Sequence, residues 1–254
     1  MFYRPPHMSI PADQSESTAF YLAERKRQRN RLRDLASKFS HLRTVVLPGG
    51  FGRMLHQVQP YSMMGYARLK GIHDGVRSVS ARSIEGDLVE CGTARGGCAA
   101  LMRLTAKSCR DDRTLWVYDT FEGLPRPTDD NPDYELALTR EKTCLGEFDE
   151  VEALFKSLDV LDGTHMIKGL FQDTLPETTP DRIALLHLDG DWYESTRVCL
   201  DHLYDKVSTG GVIQIDDYGH WAGARKALHE FFDERGIEAD LKYLDYSGRQ
   251  FVKP

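Results

Sequence analysis

Five short apolar runs alternate with segments of helical pattern from residue 86 onward, and this alternation restricts the fold more than any other feature. The runs are GDLVECG (86–92), TLWVYDTF (114–121), THMIKGLF (164–171), RIALLHLDGD (182–191) and GGVIQIDDY (210–218). Mostly continuous apolar strands separated by helices are typical of a parallel sheet that is covered on both faces. The sequence therefore predicts an α/β fold with a doubly wound, mostly parallel sheet, followed by a terminal hairpin over 239–254.

The predicted helices lie between these strands and upstream of them. They are a helix that ends near Lys107, and helices over 147–158, 194–206 and 222–236, the last ended by Gly236. Upstream, 61–79 has a helical pattern, PGGFG (48–52) predicts a break in the chain, and 23–39 predicts a basic helix. Residues 1–17 are expected to be a mobile tail or a partner-binding arm. We therefore expect an N-terminal arm with helices over 1–60 and one domain over 61–254.

Composition excludes several classes of protein. A chain of 254 residues suits one large domain, and a net charge of −6 argues against nucleic acid as the main partner. The basic segment 23–39 is therefore interpreted as a solvated face rather than a phosphate or RNA site. The sequence contains no run of eighteen apolar residues, so no membrane span is predicted. The N-terminus lacks the apolar region of a secretory signal, so no such signal is expected. Five cysteines without a CxxC pair argue against a disulfide framework, and a cytoplasmic location is expected.

The turn after the first strand predicts a cofactor site. It reads Glu90-Cys91-Gly92-Thr93-Ala94-Arg95-Gly96-Gly97 and leads directly into a helix. Ligands of doubly wound sheets bind beyond the carboxyl ends of the strands, where glycines let the backbone come close. The acid at Glu90 repels a pyrophosphate but suits an ammonium, so the turn favours S-adenosylmethionine over a dinucleotide. The alternative is a tight turn in which Glu90 contacts the helix dipole.

Two further strand ends fit the same ligand. Asp119 follows the second strand and could accept both ribose hydroxyls, although a helix cap is the alternative. The segment Gly169-Leu170-Phe171-Gln172-Asp173 follows the third strand. It offers an apolar wall and a carboxylate that could accept from an adenine amino group.

Four aspartates follow the fourth and fifth strands and predict a metal site. Asp189 and Asp191 end one strand, and Asp216 and Asp217 end the next. Oxygen ligands without a suitably spaced His or Cys indicate Mg²⁺, or else Ca²⁺ or Mn²⁺, rather than zinc. The alternative is a set of surface turn residues.

Four other residues near these strand ends have open roles. His187 is expected to be structural. His220 is a candidate for a base or for a residue that orients the metal ligands. Trp192 and Tyr193 are expected either to line a substrate pocket or to pack in the core, and the sequence favours neither role.

Five sequence blocks around these positions resemble the macrocin O-methyltransferase family. The blocks are VECGTARGG (89–97), YDTFEGLP (118–125), GLFQDTLP (169–176), LLHLDGDWYEST (185–196) and IQIDDYG (213–219), and the resemblance covers roughly 61–230. It implies a class I methyltransferase fold, Rossmann-like with an antiparallel C-terminal strand and an N-terminal helical extension. Members of the family methylate sugar hydroxyls of macrolide, aminocoumarin and related antibiotics.

The resemblance also implies roles for individual residues. It gives Asp189, Asp216 and Asp217 as metal ligands and Asp191 as the general base. It also implies that a helix start at Tyr61-Ser62-Met63 touches the cofactor. The implied cofactor contacts are Met63, Glu90, Gly92, Thr93, Gly97, Cys98, Asp119, Phe121, Gly169, Asp173 and Asp189. Residues from Pro125 to about Gly146 correspond to a mobile lid. The segment before residue 60 does not align, and in the family such segments form subunit contacts, which implies a homo-oligomer.

These inferences together predict a metal-dependent O-methyltransferase that acts on a small-molecule hydroxyl, with a glycosylated natural product as the expected acceptor. A catechol-type O-methyltransferase with an aromatic acceptor is one alternative. A metal-dependent hydrolase is another, and it would not bind S-adenosylmethionine. A non-catalytic cofactor-binding protein is a third, which the intact aspartates argue against.

Overall fold

The computed structural model of the protein describes residues 50–254. The predicted tail (1–17), the predicted basic helix (23–39) and most of the predicted arm lie outside the described residues. Within 50–254, no helix combines the length and the apolarity that crossing a bilayer requires.

Helices and strands alternate along the described chain as the sequence predicts. The helices are α1 Gly50–Val58, α2 Tyr66–Ala81, α3 Gly97–Ser108, α4 Tyr134–Leu138, α5 Phe148–Ser157, α6 Phe171–Thr174, α7 Tyr193–Leu203 and α8 Ala222–Arg235. Short 3₁₀ turns occur at Gln59–Tyr61 and Tyr204–Lys206. The strands are β1 Asp87–Cys91, β2 Leu115–Asp119, β3 Thr164–Lys168, β4 Ile183–Leu188, β5 Val207–Ile215, β6 Lys242–Tyr243 and β7 Arg249–Val252.

These strands form one seven-stranded sheet in the order β3-β2-β1-β4-β5-β7-β6. Strands β1 to β5 pair in parallel, whereas β7 runs antiparallel to β5. The predicted fold is confirmed, including the antiparallel C-terminal strand. Strand order reverses between β1 and β4, so the crevice at their carboxyl ends is where a doubly wound sheet binds its ligand.

Both faces of the sheet are covered, which explains the continuous apolar runs. On one face, Leu88 and Leu185 pack with helix residues such as Leu101 of α3 and Phe155 of α5. On the other face, Leu186 packs with Leu200 of α7 and Phe231 of α8. Every residue of β4 is buried, as expected for a central parallel strand.

Two local predictions upstream of the sheet are wrong. Gly50, Phe51 and Gly52 do not break the chain but begin α1, because the apolar side of α1 packs against the core through Val58. The helix predicted from residue 61 begins at Tyr66 instead, with Gly65 in an extended conformation before it. The predicted boundary at residue 60 stays a prediction.

Candidate active site

The turn after β1 lies directly against the loop after β4. Gly92 has φ +88°, and an added Cβ would lie 2.0 Å from the carbonyl oxygen of Asp189. Gly97 begins α3, and a Cβ there would lie 2.6 Å from the carbonyl oxygen of Tyr61. The predicted cofactor turn therefore sits between the Tyr61–Met63 segment and the predicted metal loop. Met63 is 70% exposed beside it.

Asp119 lies under this turn, as predicted from its place at the end of β2. Its Oδ2 accepts hydrogen bonds from the backbone N–H of Thr93 at 2.7 Å and of Ala94 at 3.1 Å, and its Oδ1 accepts from Phe121 at 2.7 Å. Burial raises the pKa of Asp119 although these bonds oppose the shift. The N–H of Gly169 donates to the Asp119 carbonyl at 3.0 Å. Asp173 is exposed on α6.

Glu90 is fully buried and faces protein groups. Its Oε2 accepts from the Thr93 hydroxyl at 2.6 Å, and its Oε1 lies 2.9 Å from His187 Nδ1. The Sγ of Cys98 is 3.6 Å from the same nitrogen. A direct contact of Glu90 with a cofactor ammonium stays a prediction. The structure shows that Glu90 holds Thr93 and His187 in place.

Asp189, Asp216 and Asp217 converge at the carboxyl ends of β4 and β5. Each offers one carboxylate oxygen, and these three atoms lie within 4.8 Å of one another. Burial raises the pKa of Asp189 well above its ordinary value, and the Asp216 and Asp217 charges raise it further. Burial and the charge of Asp216 raise the pKa of Asp217 to about 6. The arrangement therefore favours binding of a cation or of protons.

Asp216 has two basic neighbours that the sequence did not indicate. Arg68 of α2 forms an ion pair with Asp216 and donates from Nε to Asp245 at 3.0 Å. His187 Nε2 lies 3.7 Å from Asp216 Oδ1, and neither atom has a hydrogen-bond partner among residues 50–254. Burial alone would raise the pKa of Asp216, but Arg68 and His187 lower it. The pKa of His187 is raised to about 10 by Asp216 and Glu90, although burial opposes this.

Asp191 lies beside these carboxylates in an unusual backbone conformation. Its φ is +60°, a region that most non-glycine residues avoid. Its N–H donates to Asp217 Oδ2 at 3.0 Å, and its Oδ1 accepts from the indole of Trp221 at 2.6 Å. Burial and then the charge of Asp217 raise the pKa of Asp191 well above its ordinary value.

The segment predicted as a lid, 125–146, packs across this edge of the sheet. At one end, the Pro125 carbonyl accepts from Trp192 Nε1 at 3.0 Å. In the middle, Asp133 Oδ2 accepts from the N–H of Gly223 at 2.7 Å, in the first turn of α8. At the other end, a Cβ on Gly146 would lie 2.0 Å from the Ala94 carbonyl oxygen. The segment thus contacts both the cofactor turn and the helices after the aspartates, while its mobility stays a prediction.

Three aromatic residues near the site have roles that the sequence left open. Trp192 is 2% exposed and packs in a cluster with Trp221, so it is a core residue and not a pocket wall. The Tyr193 hydroxyl donates to Glu230 at 2.7 Å. The His220 ring packs against Trp221 with centroids 4.9 Å apart.

Sequence reasoning missed Arg68 and Trp221. Arg68 lies on a helix 148 residues before its partner Asp216, and no spacing rule links the two. Trp221 is close in sequence to Asp216 and Asp217, but nothing in the sequence indicates that its indole turns towards Asp191.

Comparison with known proteins identifies the family. The sequence model described as Macrocin-O-methyltransferase (TylF) matches residues 50–253. The chain is 39% identical over 194 residues to demethyldecarbamoylnovobiocin O-methyltransferase of Streptomyces niveus, covering 74% of each chain. It is 36% identical over 193 residues to 8-demethyl-8-(2,3-dimethoxy-alpha-L-rhamnosyl)-tetracenomycin-C 4'-O-methyltransferase of Streptomyces olivaceus, again covering 74% of each. The solved structure of the O-methyltransferase NovP superposes with a TM-score of 0.73 at 37% identity, covering 76% of this chain and 82% of that one.

Proposed function

Because this chain belongs to the macrocin O-methyltransferase family and is an O-methyltransferase, we propose that it methylates a sugar hydroxyl of a glycosylated natural product. The methyl donor is S-adenosylmethionine, and a divalent cation assists. The observation that carries this proposal is the contact between Gly92 and Asp189. It joins a turn suited to the cofactor to a group of carboxylates suited to a cation.

The carboxylates fit a hard cation such as Mg²⁺. Asp189, Asp216 and Asp217 supply oxygen ligands only, and within the described part of the chain the buried Oδ1 of Asp216 has no hydrogen-bond partner. When bound, the cation supplies positive charge that favours loss of a proton from a nearby hydroxyl. Arg68 and His187 lower the pKa of Asp216, which favours the ionised carboxylate that a cation would bind.

The neighbouring turn fits S-adenosylmethionine. Gly92 and Gly97 let this turn pack closely against the backbone of Asp189 and Tyr61. Asp119 is placed for ribose hydroxyls if it exchanges a backbone partner for them. Met63 is exposed beside this turn and offers an apolar surface, whereas Phe121 is buried and packs against Phe148. When bound, S-adenosylmethionine would supply the methyl group for the acceptor oxygen. The sulfur would keep the electron pair of the carbon–sulfur bond that breaks.

Asp191 is the proposed general base. Its carboxylate lies beside Asp217, and its raised pKa makes it a stronger base than an exposed aspartate. The acceptor hydroxyl gives its proton to Asp191. Alignment of acceptor and donor by the packed lid supplies the rest of the rate enhancement, worth up to about 7–11 kcal/mol in well-oriented systems.

The acceptors of the relatives indicate the acceptor class of this chain. One acts at the 4' oxygen of a rhamnosyl-bearing tetracenomycin, and another on demethyldecarbamoylnovobiocin. We propose a hydroxyl on the sugar of a related glycoside. The predicted homo-oligomer through the N-terminal region concerns residues outside those described.

The test is a methyl-transfer assay on the purified full chain. It uses S-adenosylmethionine, Mg²⁺ and a panel of demethylated antibiotic glycosides, with catechol as the rival acceptor, and mass spectrometry detects the product. We expect methylation of a glycoside, loss of the rate with a chelator, and recovery with Mg²⁺. Turnover of catechol alone would favour the catechol-type alternative, and a full rate in chelator would contradict the metal.

Two variants separate the proposed ligands from the proposed base. Asp217→Asn should lose activity through weaker metal binding, so that high Mg²⁺ restores part of the rate. Asp191→Asn should bind metal and cofactor normally while kcat falls by roughly 10²–10⁴. Full rescue of Asp191→Asn by Mg²⁺ would make Asp191 a ligand rather than the base.

A further inference from the structure

The indole of Trp221 fixes the side chain of Asp191. Its Nε1 donates to Asp191 Oδ1 at 2.6 Å, and Trp221 is 2% exposed. An indole has one donor and no acceptor, so this buried N–H is satisfied only while the carboxylate stays in this orientation. The bond fixes Oδ1 against the indole and thereby fixes the direction of Oδ2 as well.

The backbones of the two residues are tied to the same partner. The N–H of Asp191 donates to Asp217 Oδ2 at 3.0 Å, and the N–H of Trp221 donates to the Asp217 carbonyl at 2.9 Å. These bonds hold Asp191 at its φ of +60°. A strained backbone that persists in a packed site indicates that the surrounding structure requires it.

A second tryptophan links this unit to the lid segment. The rings of Trp192 and Trp221 form an edge contact with centroids 4.9 Å apart and planes at 76°. Trp192 Nε1 donates to the Pro125 carbonyl at 3.0 Å. The two indoles also pack with Leu136 and Ala137 of the lid segment and with Leu124 just before it. The position of that segment and the orientation of Asp191 therefore depend on one buried cluster.

We propose that Trp221 is a positioning residue for methyl transfer. Its indole aims Asp191 at the acceptor, and Trp192 connects this arrangement to the packed lid. The inference rests on the proposed role of Asp191 as the base. Trp221 itself does not touch the reacting atoms.

The first experiment compares tryptophan-to-phenylalanine variants in the methyl-transfer assay. Trp221→Phe keeps an aromatic ring and removes the donor, so kcat should fall roughly 10- to 100-fold, the worth of a hydrogen bond to a charged group. The KM for the acceptor and the binding of S-adenosylhomocysteine should stay within about twofold. Trp116→Phe is the matched control, because Trp116 also donates to an aspartate, Asp87 Oδ2 at 2.9 Å, away from the site. It should leave kcat unchanged.

A double-mutant comparison distinguishes positioning from a general structural effect. Because Trp221 acts through Asp191, adding Trp221→Phe to Asp191→Asn should cause little further loss of kcat. If the two losses multiply, or if Trp221→Phe turns over at the wild-type rate, the inference is wrong. If Asp191→Asn alone keeps the wild-type rate, the proposed base is wrong and the inference falls with it.

A second measurement works without turnover and without altering the core. The chain has three tryptophans, so protein labelled with ¹⁵N-tryptophan gives three indole N–H signals in the NMR spectrum. Asp191→Asn should shift the Trp221 signal most and leave the Trp116 signal in place. An unchanged Trp221 signal would overturn the inference even if Trp221→Phe failed to fold.

Discussion

Removing the charge of Arg68 should destabilise the metal-free protein strongly. Arg68 is 12% exposed in its side chain, and its partner Asp216 is 3% exposed. In the variant Arg68→Met the apolar stem is retained, but Asp216 loses its main neutralising partner inside the protein. His187 remains 3.7 Å away, which is too far for a hydrogen bond.

The burial of this pair sets the size of the effect. Removing one partner of a buried ion pair costs about 3–5 kcal/mol, because the other charge is left without compensation. For a domain of this size, each kcal/mol lowers the melting temperature by roughly 2–4 °C. We therefore expect the midpoint of Arg68→Met to fall by roughly 6–20 °C.

The assay is thermal unfolding followed by circular dichroism in a chelating buffer. Arg197→Met is the matched control, since Arg197 also bridges two carboxylates, Asp201 and Glu234, but at the surface. Those carboxylates are 43% and 55% exposed, and exposed pairs contribute little. Equal midpoints for the two variants would refute the view that Arg68 neutralises a buried charge.

Three further predictions follow from the geometry of the site. Gly92→Ala should abolish cofactor binding measured by calorimetry and lower the melting temperature, because its Cβ would meet the Asp189 carbonyl. Gly236→Ala is the control and should bind the cofactor normally, because Gly236 also has a positive φ but its Cβ would meet no described atom within 4 Å. The pKa of Asp217 is raised from 3.8 to about 6, so the folded protein holds this proton more tightly than the unfolded chain does. The metal-free protein should therefore lose stability as pH rises through this window, and Asp217→Asn should flatten that part of a curve of denaturation against pH. Protease should cut 125–146 more slowly when cofactor and acceptor are bound, and equal rates with and without them would count against a lid.

The sequence by itself determined the fold and the polar residues that follow each parallel strand. The alternation of apolar runs and helices follows from local periodicity, and the end of α8 at Gly236, with φ +60°, follows from local backbone preference. Asp119 and the four aspartates could be placed at one edge because parallel strands bring their carboxyl ends together. Where local signals conflicted, as at Gly50 to Gly52, packing on the core decided for a helix.

Only the tertiary structure decided which charged and polar groups oppose one another inside the protein. Glu90 faces His187 because parallel pairing of β1 and β4 sets them side by side in register. Arg68 reaches Asp216 because α2 packs over the sheet, and Trp221 reaches Asp191 because α8 begins beside the loop after β4. These contacts depend on side-chain directions and on distances between elements far apart in the chain. Sequence spacing carries no record of them, which is why the strand-end residues were predictable and the groups that orient and neutralise them were not.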